Sequence, residues 1–539
     1  MKVHLRLLTA AVLLVMMCAC SDHDDNNATP VPTPERYAHV GTITDEYDRE
    51  IEIEYDGKNF FPNTIHQINF TYPSLDPDGQ PVTLSGAIRI PKRLLDGTAE
   101  CEGIILYHHY TTTCAAEVPT RDYAYYDALF LIPQFELNYV LVESDFYGFG
   151  VTVDKPQAFQ QGTINARASI DALLAAEHLL KQRNFPVGPY RFNVGYSSGG
   201  YDALAAQKLR DMEYRDLVSF DKTFAGGGSY DLARAYREYI KADATAYNVV
   251  LPLLMYTTNE TLHLGLDYND IFQPIIADNI DEWIVSKKYT TTEINDAIGR
   301  STPLHDLFQP PYMDLESPES KRVLEVLGRF NIANDWTPDP TQHIFIFHAR
   351  EDDYVPISSA LPIVNFLTSH GFKESQHAGE SNLQTNFKVQ GIPHLAAVFL
   401  FTAQTIASIK SWAAMYRDGQ LDAEYAAMLE SGEYDLVAVL RLLEARGVDI
   451  RTMLKAFAGA VGEVTGEGDG EMTMEKMQTI LSLAGIEMAD VVATCVALGY
   501  NPLALMEDLQ AWFNETAATQ RNERAILQIF KQEGLPVGE

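Results

Sequence analysis

Arg191-Phe192-Asn193-Val194-Gly195-Tyr196-Ser197-Ser198-Gly199-Gly200 is the stretch on which the reading of this chain turns. A short apolar run meets Gly-x-Ser-x-Gly, and residues 201–210 (YDALAAQKLR) continue as a helix. Strand, tight turn and helix in that order are the context a nucleophile elbow requires. The turn is so sharp that the residues two positions either side of the serine must be small, and Gly195 and Gly199 meet that demand. Its strain would present the Ser197 hydroxyl above the sheet edge. The helix that follows would aim its free N–H groups at the same point, where they can stabilise a developing oxyanion. The competing reading is an ordinary Gly/Ser turn before a helix.

The chain has 539 residues, 46% hydrophobic and 21% charged, a globular composition with room for two or three domains. Acidic residues outnumber basic ones by 74 to 40, for a net charge of −34. Nucleic acid is a poor partner for such a chain, because neutralising phosphates needs the opposite sign; the acidity reads as solubility. Cys101 and Cys114 flank a predicted strand at its opposite ends. Six extended residues span about 20 Å, whereas a disulfide needs Cα atoms within about 7 Å, so no bridge between them is expected. No Cys-x-x-Cys or His-x-x-x-His spacing suggests a metal, and no cofactor is expected.

Residues 1–20 read as a processing segment. Lys2 and Arg6 precede an apolar run over 7–17, too short to span a bilayer, and Met17-Cys18-Ala19-Cys20 closes it. The ending resembles the lipobox of bacterial lipoproteins, in which Cys20 would become the lipidated first residue. The SDHDDNN that follows resembles the acidic signal that sends some lipoproteins to the outer-membrane surface. The expectation is a chain anchored to the cell envelope by lipid; the alternative is a conventional secreted protein cut nearby. Residues 21–40, with NNATPVPTPE at 26–35, form a flexible tether.

Folded sequence begins near residue 41. Residues 65–72 and 82–90 alternate apolar and polar side chains around Asp76-Pro77-Asp78-Gly79, which predicts a β-hairpin. Strands follow at 103–107, ending in His108-His109-Tyr110-Thr111-Thr112-Thr113, and at 139–142, running into Glu143-Ser144-Asp145-Phe146-Tyr147-Gly148-Phe149-Gly150. A helix over 166–183 precedes the serine strand, and another strand is expected over 217–224 with Gly226-Gly227-Gly228 after it. Strands alternating with helices imply a mostly parallel α/β sheet with ligands at the strands' C-terminal ends.

The ordered set HHYTTT, ESDFYGFG, GYSSGG, HAREDDYVP and a late GIPH resembles the α/β-hydrolase superfamily, and within it bacterial relatives of the secretory lipase and esterase branch. The resemblance covers about residues 60–417. It implies Ser197 as nucleophile, Asp352 as the acid that orients the base, and His394 as the general base, in the chain order Ser, Asp, His. The spacing His-x-x-x-Asp-x-x-Val-Pro from His348 selects Asp352 over Asp353. It also implies an oxyanion hole from the backbone N–H of Ser198 and a first donor from the loop at Tyr110 or Thr111, where Tyr110 stands at a position usually Gly. Asp145 resembles a family aspartate that braces loops. His108, His109 and His348 compete with His394 but read as hydrogen-bonded loop histidines.

The interval between Ser197 and Asp352 exceeds what one strand and helix need. Residues 232–330 therefore read as a helical cap inserted over the active site. Its apolar run VVLPLLMY at 249–256 either lines an acyl pocket or packs the cap onto the core.

From 418 to 539 the composition turns all-helical, with glycine turns at ARGVDI, LAGIEM, ALGYNP and QEGLPV. Thr465–Lys476 imitates an EF-hand loop, but Thr465 and Lys476 replace the carboxylates at its first and last positions, so calcium binding is not expected. The partner of this region stays open.

The sequence thus predicts an α/β-hydrolase sheet with a helical cap and a C-terminal all-helical domain. The expected activity is hydrolysis of a small-molecule carboxylic ester through an acyl-enzyme. The motif Gly-x-Ser-x-Gly-Gly-Tyr also resembles the prolyl oligopeptidase catalytic domain, so a serine peptidase is the first rival. The second is a non-catalytic surface binding protein on a hydrolase scaffold.

Overall fold

The computed structural model describes residues 38–417, apart from 52–53, 56–57, 60–62, 122–136, 376–381, 388 and 390–392. The leader with Cys20, most of the tether, the EF-hand-like loop and the whole C-terminal helical region expected over 418–539 lie outside the described residues.

The hairpin is the first large element. Strand β1 (Thr42–Ile51) pairs antiparallel with β2 (Asn63–Leu75), which pairs antiparallel with β3 (Pro81–Pro91) around the Asp76–Gly79 turn. Asp76 closes that turn, its carboxylate accepting the backbone N–H groups of Asp78 at 3.0 Å and Gln80 at 2.8 Å. The polar positions of the alternating pattern do not all face water. Gln67, Asn69 and Arg89 are buried, and they donate to the carbonyls of Pro119 and Thr120. Arg89 also pairs with the buried Glu143.

Next come β4 (Gly103–His108), β5 (Tyr139–Ser144), helix α1 (Gly162–Gln182), β6 (Tyr190–Tyr196), helix α2 (Ser198–Met212) and β7 (Lys222–Gly226). The strand expected over 217–224 begins only at Lys222, because the chain leaving α2 is held in turns by Leu217 and Val218 N–H bonds to the Tyr214 carbonyl. After the cap come β8 (Ile344–Phe347), helix α7 (Leu361–Ser369), β9 (Glu374–Ser375), β10 (Leu383–Asn386) and helix α8 (His394–Arg417). Helix α8 thus starts at His394 itself. Ten strands form one sheet in the order β1-β2-β3-β5-β4-β6-β7-β8-β10-β9. It is antiparallel through the β3–β5 pair and parallel from there on.

Strict alternation divides the parallel strands between two cores. Ile104, Leu106, Val140, Val142, Ile344 and Ile346 face the layer of α1, α2 and α7. Ile105, Tyr107, Phe192, Val194, Phe345 and Phe347 face α8. Parallel strands covered on both faces read as continuous apolar runs, which is why these were legible as buried strands.

Between β7 and β8 lies the cap, with α3 (Leu232–Ala242), α4 (Val250–Thr261), α5 (Thr291–Ile298) and α6 (Pro318–Gly328) and several shorter turns. It has its own apolar core, including Leu253, Phe272, Ile294, Leu304 and Phe308. Lys287 pegs it to the sheet side. Its ammonium donates to the carbonyls of Gly148, Val153 and Lys155 and lies 5.4 Å from the Phe149 ring.

Lys222 is the buried cation beneath α8. It donates to Gln384 Oε1 at 2.9 Å and Ser408 Oγ at 3.0 Å and lies over the Phe224 ring. Burial pushes its pKa from 10.5 down to about 7. Below pH 7 both folded and unfolded chains carry the proton, so the fold bears the full cost of burying a charge. Between about pH 7 and 10.5 only the unfolded chain binds it, and that cost fades as pH rises. Lys222→Met is therefore expected to stabilise relative to wild type most near pH 6. The difference should shrink by on the order of a few kcal/mol toward pH 10, measured as denaturation midpoints of both proteins across that range.

Candidate active site

Strand β6 ends at Tyr196 and α2 begins at Ser198, leaving Ser197 alone in the turn. Its φ of 60° and ψ of −123° lie in a region that side-chain-bearing residues rarely adopt, so the surroundings must enforce it. A Cβ on Gly195 would lie 2.0 Å from the Gly199 carbonyl oxygen, and one on Gly199 would lie 2.0 Å from that of His108. Only glycine lets the elbow close and lets α2 start against the end of β4. The Ser197 N–H donates to the Gly226 carbonyl at 2.8 Å, tying the turn to β7 as well.

His394 opens α8 and brings its imidazole to the elbow. Nε2 lies 2.8 Å from Ser197 Oγ, and Nδ1 lies 2.6 Å from Asp352 Oδ2. Asp352 stands just past the end of β8, where its other oxygen accepts the backbone N–H groups of Tyr354 at 3.0 Å and Val355 at 2.7 Å. Burial pushes the Asp352 pKa up, but the charge and hydrogen bond of His394, the nearby His348 and the Val355 N–H together hold it below the ordinary value. An ionised Asp352 accepts the Nδ1 proton, which leaves Nε2 to accept from the Ser197 hydroxyl.

The adjacent aspartates divide the work. Asp353 Oδ1 accepts the backbone N–H of His394 at 2.8 Å, satisfying a donor at the start of α8. Tyr196 donates to the His394 carbonyl at 2.8 Å, and the Tyr354 ring stacks on the imidazole at 5.1 Å. Tyr354 in turn stacks on Tyr247 of the cap at 4.6 Å. None of these supports was singled out from the sequence, since contacts spanning about 40 to 200 positions leave no spacing signal.

The competing histidines are engaged elsewhere. His108 joins Asn193 at 2.7 Å and Ser169 at 3.0 Å, and burial drives its pKa down to about 3. His109 donates from Nδ1 to the Tyr110 carbonyl at 2.8 Å. His348 donates from Nε2 to the Val355 carbonyl at 2.9 Å, so it shapes the turn that carries Asp352. Asp145 receives Ser85 and Thr120 hydroxyls, each at 2.6 Å, and the Thr120 N–H at 2.9 Å. It therefore ties three segments together, as the resemblance implied.

Ser197 and His394 open on a cavity of about 310 Å³. Tyr110, Thr111 and Ser198, expected to supply the oxyanion donors, line it on the sheet side. Cap residues line the other side, among them Leu232, Val250, Leu251 and Leu254. The apolar run over 249–256 thus serves both purposes raised by the sequence: Val250, Leu251 and Leu254 reach the cavity, while Leu253 and Met255 belong to the cap's core.

Gly195→Ala is expected to destabilise the protein by more than about 3 kcal/mol, because its methyl group would collide with backbone rather than a movable side chain. A drop in denaturation midpoint together with loss of the Ser197 turn geometry in a crystal structure would bear this out.

No protein-family model and no curated protein matches the sequence. Solved structures do match the fold. A hydrolase candidate from Legionella pneumophila superposes with a TM-score of 0.59 at 18% identity, covering 70% of this chain and 100% of that one. The rice cell wall degrading esterase LipA from Xanthomonas oryzae superposes with a TM-score of 0.54 at 18% identity, covering 71% and 98%. At these identities the likeness is one of fold: this chain has the α/β-hydrolase fold.

Proposed function

We propose that the protein is a serine hydrolase of carboxylic esters. The observation that carries this reading is the unbroken relay from Ser197 Oγ through His394 to Asp352, at 2.8 Å and 2.6 Å, on an elbow that opens into a cavity. In the first half-reaction His394 Nε2 takes the Ser197 proton as the oxygen attacks the ester carbonyl. Asp352 stabilises the imidazolium that forms. The backbone N–H of Ser198 and that of Tyr110 or Thr111 receive the negative oxygen. His394 then protonates the leaving alcohol, and an acyl group remains on Ser197. Water, activated by the same imidazole, repeats the sequence and frees the acid. Tyr196, Tyr354 and Asp353 take no proton; they fix the imidazole's position.

An ester substrate fits better than a peptide because the inserted cap lines the cavity with apolar residues such as Val250, Leu251 and Leu254. The two aspartate variants separate the roles assigned to the neighbours. Ser197→Ala should lose ester hydrolysis while keeping its fold, and Asp352→Asn should cost about 10⁴ in kcat by presenting the wrong imidazole tautomer. Asp353→Asn should cost far less, since it affects only a backbone contact. Steady-state kinetics on a para-nitrophenyl ester checks all three, and activity of Ser197→Ala within tenfold of wild type would sink the assignment.

We also propose that the mature chain begins at a lipidated Cys20 and is held at the cell envelope, most naturally the outer membrane. The charged start, short apolar run and Ala19-Cys20 ending support this. Cys20→Ala is expected to move the protein from the membrane to the soluble fraction of its host and to abolish incorporation of labelled fatty acid; retention of the label would contradict the anchor.

A further inference from the structure

The cap holds a second cavity, of about 430 Å³, that shares no lining residue with the one at Ser197. Apolar side chains make most of its wall: Met255 from α4, Leu264, Leu266 and Ile271 from the segment after it, and Val323 and Leu327 from α6. A cavity of this size, apolar with a few polar groups, is the usual form of a small-ligand site. The proposed hydrolysis uses none of these residues.

The polar groups of this cavity gather around one tyrosine. Tyr312 is only 7% exposed, yet its hydroxyl keeps accessible surface and makes no hydrogen bond among the described residues. Burial, Glu319 and Asp270 push the phenol's pKa up, and Arg322 pulls it down. All three charged residues line the same cavity, which places the hydroxyl toward the cavity rather than the core of the cap. Asp270, Glu319 and Arg322 are exposed and make no ion pair among the described residues. Glu319 and Arg322 lie three apart on α6, where neighbouring opposite charges offset one another. Asp267 also lines the cavity, its carboxylate held by the backbone N–H and side-chain amide of Asn269, each at 2.9 Å. Three carboxylates against one guanidinium leave the rim negative.

We propose that this cavity is a second ligand site, which takes an apolar tail into its interior and holds a primary ammonium at the rim against Asp270, Glu319 and the Tyr312 hydroxyl. An ammonium carries three N–H donors and no acceptor. Two carboxylates and a phenol oxygen supply an acceptor for each. A carboxylate-headed ligand would meet repulsion from the same two acids, and a neutral one would gain nothing from their charge. The tail supplies affinity by leaving water, and the charge supplies selection. The inference does not rest on the ester-hydrolase reading, since it involves neither Ser197 nor its cavity.

Calorimetric titration of the full chain with octylammonium, octanoate and 1-octanol tests it, because the three share one tail. Octylammonium should bind at least about tenfold tighter than either of the others, and more weakly as salt is added. A chain with a net charge of −34 attracts cations in general, so variants must locate the ammonium. Asp270→Asn combined with Glu319→Gln, at exposed positions where folding is not at stake, should cut the preference at least about fivefold. Tyr312→Phe, which keeps the ring, should weaken octylammonium binding about threefold. Val323→Trp, which fills the cavity, should weaken all three ligands by about tenfold or more. A wild-type preference below about tenfold, or one that the Asp270/Glu319 double variant leaves unchanged, overturns the proposal. Undiminished octylammonium binding in Tyr312→Phe or in folded Val323→Trp overturns it too. Should Val323→Trp fail to fold, the double variant and Tyr312→Phe decide the matter.

Discussion

The left-handed backbone of Ser197 is the constraint on which the rest of the site depends. It exists because β4, β6 and β7 end side by side and leave no room for a Cβ at Gly195 or Gly199. The same crowding brings the start of α2 against the end of β4. Ser198, Tyr110 and Thr111 line the same cavity as Ser197. The sheet register thus fixes the Ser197 turn and the end of β4 together.

His394 reaches the elbow from the other face of the sheet. Helix α8 packs on Phe192, Phe224, Phe345 and Phe347 through residues such as Phe401 and Trp412. That packing sets the helix axis, and Asp353 and Tyr196 hold the backbone of its first residue at both N–H and carbonyl. Asp352 and Tyr354 then orient the ring. Each support is a short, well-packed contact, so the imidazole is placed before any substrate arrives. The Tyr354–Tyr247 stack carries this ordering into the cap, linking the wall of the cavity to His394.

Much of this was legible in the sequence because the informative features are local. The Gly-x-Ser-x-Gly turn, the apolar runs of β4, β5 and β8 and the His-x-x-x-Asp-x-x-Val-Pro spacing each report on a few neighbouring residues whose backbone geometry is dictated by their type. The inserted cap was legible from length alone. What escaped was set by tertiary contact. The strand at β7 starts at Lys222 rather than 217 because the preceding turn is held by Tyr214. Asp353 looked redundant beside Asp352 until α8 placed a backbone donor above it. The alternation of the hairpin does not tell which polar positions are buried, and Gln67, Asn69 and Arg89 meet the 119–120 carbonyls.

The central claim is that the Ser197–His394–Asp352 relay forms a covalent acyl-enzyme. Rapid acid quenching of the protein with a slowly deacylating aryl ester, followed by peptide mass spectrometry, tests it most directly. The account predicts a single acyl group on the peptide carrying Ser197, with release of one equivalent of phenol in a burst. Turnover without any acylated peptide, or an acyl group on a residue other than Ser197, would contradict it.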